Sequence, residues 1–186
     1  PATDPYTGSL SAQVQSTLTN VIGEANYDIG HLFNQQDNTL DGNSGFIGAV
    51  CTDNRKGSGY TTLSSPTGDA FDIDLVAHEM GHQFGANHSF SHISEGTTVQ
   101  VEPASGTTIM GYAGITNNNN VATNSDDYFH YVSVVQIRDY LQTVSCGQTQ
   151  VLTNSPPTLL PLSNYTIPKG TAFVLTGVAN DVDTLD

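Results

Sequence analysis

Eleven consecutive residues constrain this chain more than any other feature: His78-Glu79-Met80-Gly81-His82-Gln83-Phe84-Gly85-Ala86-Asn87-His88. Two histidines four apart share a face only if the segment is helical, where their imidazoles stand one turn from each other. Gly85 is the residue best suited to the left-handed conformation that ends a helix. A sharp turn there brings His88 round as a third imidazole. Three neutral imidazoles suit Zn²⁺ and leave a fourth position for water, whose pKa such an ion lowers from ~15.7 toward ~7. Glu79 follows the first histidine and is the expected general base, then the proton donor to a leaving amine. Incidental histidines on an amphipathic helix are the alternative. Five fixed positions, filled by three of only six histidines plus Glu79 and Gly85, argue against it.

The rest of the chain frames this helix. Ser9 to Phe33 reads as a first helix, with Ser11 as its cap, Val14, Leu18, Val21, Ile22, Ala25 and Ile29 at helical spacing, and Gly30 ending or interrupting it. Asn34 to Ser44 reads as polar chain with Asp41-Gly42 and Asn43 as turn formers, and Phe46 to Cys51 as a buried strand. A short strand is expected at Tyr60 to Leu63. The second helix covers Asp72 to Phe84, capped by Asp72 or Asp74, with Ile73, Val76, Ala77 and Met80 on its apolar face. Asn117 to Asn120 is exposed loop. A third helix spans Tyr131 to Val144, with Val134, Val135, Ile137, Leu141 and Val144 as core positions.

A composition break falls at Asn154-Ser155-Pro156-Pro157, and Tyr165 to Val178 then alternates apolar and polar around the turn Pro168-Lys169-Gly170. The expected organisation is a catalytic domain over 1–150, then a linker and the incomplete start of an Ig-like or cadherin-like β module over 151–186. The chain opens on Pro-Ala-Thr-Asp-Pro, with no charged start and no apolar stretch of a secretory signal, and stops in mid-pattern at Asp186. It therefore reads as a processed piece of a longer protein.

Charge narrows the partners. Four cations, Arg55, Lys56, Arg138 and Lys169, stand scattered against 18 acidic residues, for a net charge of −14. No basic face can form, so nucleic-acid binding and a polybasic membrane anchor are excluded. No apolar run approaches the ~20 residues of a membrane helix. Cys51 and Cys146 form no C-x-x-C pair. Taken alone they are either buried thiols or one long-range disulfide of an oxidising compartment. Asp69, Asp72 and Asp74 read first as helix-terminus charges, and Asp181, Asp183 and Asp186 as solvated loop carboxylates. Calcium is the further ion that either set raises. His31 and His130 read as structural residues, and His92, four after His88, as a surface or supporting residue with a surplus ligand as the alternative.

About twenty residues after His88 comes Thr107-Thr108-Ile109-Met110-Gly111-Tyr112, holding one of only two methionines. With this second segment the chain resembles the metzincin metalloendopeptidases, in which a Met-turn follows the zinc helix. Within them it is similar to the adamalysin or reprolysin-like group of bacterial secreted type. That likeness rests on Tyr27 to Phe33, then Gly45 to Cys51, then the zinc helix in the same order. It covers roughly residues 1 to 150.

The resemblance implies an α+β fold: a twisted mixed sheet, long helices, a zinc-binding active-site helix and a cleft above it, often bordered by an edge strand that can pair with an extended peptide. It implies His78, His82 and His88 as zinc ligands, Glu79 as catalytic residue, Met110 as the Met-turn residue beneath the ligands, Tyr112 as a helper of the oxyanion, and a Cys51–Cys146 disulfide. Without the family, Met110 is an ordinary core methionine and Tyr112 a core tyrosine. One position departs from the adamalysin pattern: Ser89 follows the third histidine where that group usually has Asp, as in matrixin-type sequences. The implied protein is a secreted, monomeric zinc endopeptidase acting on extracellular proteins or peptides. An enzymatically silent adhesion module on the same scaffold is the competing reading. It would be expected to lose Glu79 or a ligand, and all four are present.

Overall fold

The computed structural model describes residues 6, 8–148, 150–151 and 154–183, and the chain divides into two compact units, Pro1–Gly147 and Gln148–Asp186. The first unit is α+β. Its helix α1 (Leu10–Thr17) starts after Ser9, not at a Ser11 cap, and runs into a π-helical turn at Leu18–Ile22. It ends at Gly23, whose φ of 86° breaks the pattern well before Gly30. Val14 is buried as expected, but Val21 and Ile22 are exposed. Beyond Gly23 only a 3-10 turn at Glu24–Asn26 is helical, and His31–Gln35 is claimed by a sheet as strand β1.

That sheet is mixed. Strand β3 (Gly59–Leu63) lies in the centre, parallel to β1 with His31 opposite Gly59, and antiparallel to β2 (Leu40–Asn43) with Leu40 opposite Leu63. Thr61 and Thr62 on β3 are buried, as β-branched residues on a covered pleat should be. Asp41-Gly42, expected in a turn, therefore belongs to an edge strand. The expected strand at Phe46 to Cys51 does not form. Gly45, Gly48 and Cys51 all have positive φ, which an extended chain cannot accommodate. Its amides serve a helix end instead: Gly48 N–H donates to His82 O, and the Ala49 and Val50 amides donate to Gln83 O.

The active-site helix is one continuous helical stretch in three pieces: α2 (Asp69–Phe71), a π-helical turn at Asp72–Ala77, and α3 (His78–Gln83). It begins three residues earlier than expected, with Gly68 at the cap position, so neither Asp72 nor Asp74 caps it. Asp74 instead accepts the Ser125 amide at 2.9 Å. Gly85 turns the chain at φ 99°. Helix α4 (Tyr131–Leu141) is capped by the His130 ring, which accepts the Val132 amide. Its buried face is Ser133 with Ile137 and Tyr140, while Val134 and Leu141, expected in the core, are exposed. Helix α4 has 11 residues, while the helical stretches at 10–22 and 69–83 each owe part of their length to a π-helical turn.

The core lies under α3, where Ala86, Ile109 and Met110 pack with Ile73, Ala77, Phe129 and Ile137. Tyr140 seals one end: its hydroxyl donates to Val50 O at 2.7 Å, and its side chain lies so close to Gly48 and Gly85 that a Cβ at either would fall within 2.9 Å of it. Cys51 and Cys146 are joined by a disulfide across a separation of 95 residues. A loop of that size stabilises by ~4–5 kcal/mol in the chain-entropy account.

In the second unit the described strands are only β4 (Thr158–Leu159) and β5 (Ala179–Asn180), paired antiparallel. The alternating stretch Tyr165 to Val178 makes the expected turn, with Thr171 N–H donating to Pro168 O, but no strand. Two-residue strands cannot bury an apolar face, and Leu159, Phe173 and Val174 remain exposed.

Candidate active site

Helix α3 presents His78 and His82 with their rings 4.8 Å apart, and the turn at Gly85 returns His88 to within 5.2 Å and 4.6 Å of them. Each Nδ1–H has an acceptor. His78 donates to Ile109 O at 2.6 Å, His82 to Ala86 O at 2.7 Å, and His88 to the Glu95 carboxylate at 3.0 Å. The three Nε2 lone pairs are thereby turned on one another, with His88 Nε2 at 3.2 Å from that of His78 and 3.0 Å from that of His82.

Facing lone pairs repel unless a cation lies among them. A tetrahedral ion with ~2.0–2.1 Å bonds to nitrogen needs its ligands roughly 3.3 Å apart, close to the spacing found. The donor set therefore fits Zn²⁺. Burial favours the same state of the rings. It pushes His78 down to about 3, aided by His82 and His88 and opposed by the Ile109 carbonyl. It pushes His88 to about 3 as well, with His82 and His92 adding to it. His82 is lowered chiefly by burial. Neutral imidazoles are the form that ligates a metal. With His88 neutral, its contact with Glu95 is a hydrogen bond to a carboxylate and not an ion pair.

Among the described residues this trio is the only group of three or more His, Cys, Asp or Glu close enough to share an ion. Asp69, Asp72 and Asp74 form no such group, nor do Asp181 and Asp183, so the calcium expectation has no support. Asp186 lies outside the described residues. His92 stands apart from the trio and packs on Phe90, with ring centroids 4.4 Å apart. His31 bridges the sheet and the helix: its Nδ1–H donates to Gln83 Oε1 and its Nε2 accepts from Thr61 Oγ1.

Glu79 reaches toward β2. A Cβ at Gly42 would lie 2.7 Å from its Oε1, so only glycine admits this carboxylate beside the strand. Burial raises Glu79 to about 7, with the Ser44 amide opposing and Asp41 adding to the rise. A nearby divalent cation would reverse that shift. Tyr112 lies 5.6 Å from the His78 ring and 4.5 Å from that of His88, and burial, with Glu95 and Glu79, raises its phenol to about 12. Beside these groups opens a cavity of about 390 Å³, walled by Leu40 and Gly42 of β2, by Leu75, and by Ala113 and Ile115 of the loop after Tyr112.

Met110 is fully buried below α3, where a Cβ on Gly81 would come within 2.5 Å of its sulfur. Glu102, a residue without any sequence signal of its own, holds this turn. Its Oε1 accepts the Thr107 and Thr108 amides at 2.9 and 3.1 Å, and its Oε2 accepts the Thr108 hydroxyl at 2.6 Å and that of Ser89. Burial raises Glu102, but the hydroxyls of Ser89 and Thr108 and the two amides outweigh it and hold the carboxyl below its usual range. Ser89, the position that departs from the adamalysin pattern, thus meets the Met110 turn twice: its amide donates to Met110 O at 3.0 Å, and its hydroxyl reaches the turn through this glutamate. Glu95 was equally invisible in the sequence, since nothing in a polar loop marks which acid folds back.

The model of the family described as Metallo-peptidase family M12B Reprolysin-like matches residues 1–141. No curated protein matches the chain.

Proposed function

The chain belongs to the M12B reprolysin-like metallopeptidases and is a zinc metalloendopeptidase; from that premise we propose how its residues divide the work. His78, His82 and His88 hold the zinc, which when bound supplies a Lewis acid for the scissile carbonyl and acidifies an attacking water. Glu79 takes the proton of that water and passes it to the departing amine. Its position beside β2 supports this role, because Glu79 lines the same cavity as His78 and the edge strand where a peptide would lie. Tyr112, kept protonated by its buried setting, donates to the developing oxyanion. Met110 makes the floor and touches no substrate.

The substrate is an extended segment of a protein or peptide. Strand β2 is an edge, and an extended chain laid along it gains main-chain hydrogen bonds while one side chain enters the adjoining cavity. We place the enzyme outside the cell, as a monomer. The Cys51–Cys146 disulfide suits an oxidising compartment, and no described helix is long and apolar enough to cross a membrane. Residues 151–186 are read as a linker and the start of a β module.

The single observation that carries the catalytic reading is the convergence of three Nε2 atoms whose Nδ1 protons are all engaged elsewhere. The test is digestion of casein or a peptide library with and without a chelator, alongside elemental analysis. Cleavage should stop on chelation and return with zinc. Glu79→Ala should keep its zinc and lose cleavage by at least ~10²-fold, the usual scale for a general base. Full activity in Glu79→Ala, or active protein without a divalent metal, would overturn it.

A further inference from the structure

The three ligands are not oriented in the same way. His78 and His82 stand on α3 and give their Nδ1 protons to main-chain carbonyls of the packed interior, Ile109 O and Ala86 O. His88 lies beyond the helix, past the Gly85 turn, and its Nδ1 meets a side chain, Glu95, with both carboxylate oxygens at 3.0 Å. We propose that Glu95 is the positioning residue of the third ligand, fixing the ring of His88 so that its Nε2 faces the ion and raising that ring's strength as a donor. The inference rests on the zinc site proposed above.

The reasons are geometric. The Phe90 ring stacks on His88 with centroids 4.7 Å apart and planes 24° apart. Stacking sets the plane of the imidazole but leaves rotation within that plane free, and the Glu95 carboxylate removes this freedom. Glu95 is held in turn by its loop. The Gln100 side chain accepts the Glu95 amide at 2.8 Å and donates to Phe90 O and Ile93 O at 3.0 and 2.7 Å, closing 90–100 into one hydrogen-bonded unit. Glu95 is no ligand itself, since the residues whose donor atoms converge are the three histidines without it. It acts through the far nitrogen of His88. An anionic acceptor there makes an imidazole more electron-rich than a carbonyl does, and such partners are commonly worth ~10–100-fold in metal affinity. The Glu95 side chain is 32% exposed, so it contributes little to the apolar core.

The experiment titrates zinc against a chromogenic chelator for the whole protein, Glu95→Gln and Glu95→Ala, and records thermal unfolding of each in metal-free form. Glu95→Ala should bind zinc ~10–100-fold more weakly than the unaltered protein. Glu95→Gln, which keeps an acceptor oxygen without the charge, should fall between. Metal-free unfolding should coincide for all three. In the cobalt-substituted proteins the visible d–d bands should shift in both variants, which a merely structural loop residue would not cause. Affinities within about threefold of the unaltered protein, or a metal-free destabilisation that matches the lost affinity, would overturn the role of Glu95. An unaltered protein that takes up no zinc would instead overturn the zinc site, and this inference with it.

Discussion

Replacing Glu102 by alanine should cost the fold several hydrogen bonds at once. The carboxylate is buried and accepts four hydrogen bonds, two from main-chain amides of Thr107 and Thr108 and two from the hydroxyls of Ser89 and Thr108. Truncation strands four donors, and hydrogen bonds to an ionised group are worth ~1.5–3 kcal/mol each. Their sum overstates the effect, because hydroxyls rotate to new acceptors and water can enter the space left behind. A loss of about 3–5 kcal/mol is the reasonable expectation. At roughly 2–4 °C per kcal/mol for a domain of this size, the midpoint should drop by roughly 6–20 °C. Glu102→Gln should be milder, about 1–2 kcal/mol. Its carbonyl still serves both amides, and its NH₂ can donate to the two hydroxyls once they rotate. Denaturant unfolding of the metal-free proteins measures both. A Glu102→Ala variant within about 1 kcal/mol of the unaltered protein would refute the claim that this acid ties the segment after His88 to the Met110 turn.

Gly81→Ala places a methyl 2.5 Å from Met110 Sδ and 2.9 Å from Phe129 Cε1. Overpacking of this kind should destabilise by ~1–3 kcal/mol, despite alanine's better helix propensity, and equilibrium unfolding would read it. The metal-free protein should also weaken in acid. Unfolded imidazoles take up protons below about 6.5, whereas folded His78 and His88 resist until about 3 and His82 is lowered as well. Stability contributed by these rings is therefore present above about 6.5 and lost as pH falls toward 3. Glu79 works in the opposite sense: raised to about 7, it adds stability as pH falls and so offsets part of that loss. Thermal midpoints of the metal-free protein should decline between pH 6.5 and 4.5, more steeply in Glu79→Gln; a flat profile would contradict the buried, neutral trio.

The local rules of the chain determined the site's chemistry and little of its surroundings. His78, His82, Gly85 and His88 act through helical periodicity and one left-handed turn, both properties of neighbouring residues, so their convergence was legible from spacing alone. Met110 and the Cys51–Cys146 pair were legible only through resemblance to a family. The elements misread share a physical cause. Phe46 to Cys51 is apolar enough for a strand, yet positive φ at Gly48 and Cys51 and at Gly45 just before it bends the chain, and the free carbonyls at the end of α3 claim its amides. Asp41-Gly42 looks like a turn, but β3 takes it as a partner strand and Glu79 requires the missing side chain. His31 left its helix for a sheet because Gly23 ended the helix first and Gly59 stood ready opposite. Glu95 and Glu102 are decided only by tertiary structure, for a hydrogen-bond acceptor acquires its function from donors that folding brings to it, and those donors lie beyond the reach of any local pattern.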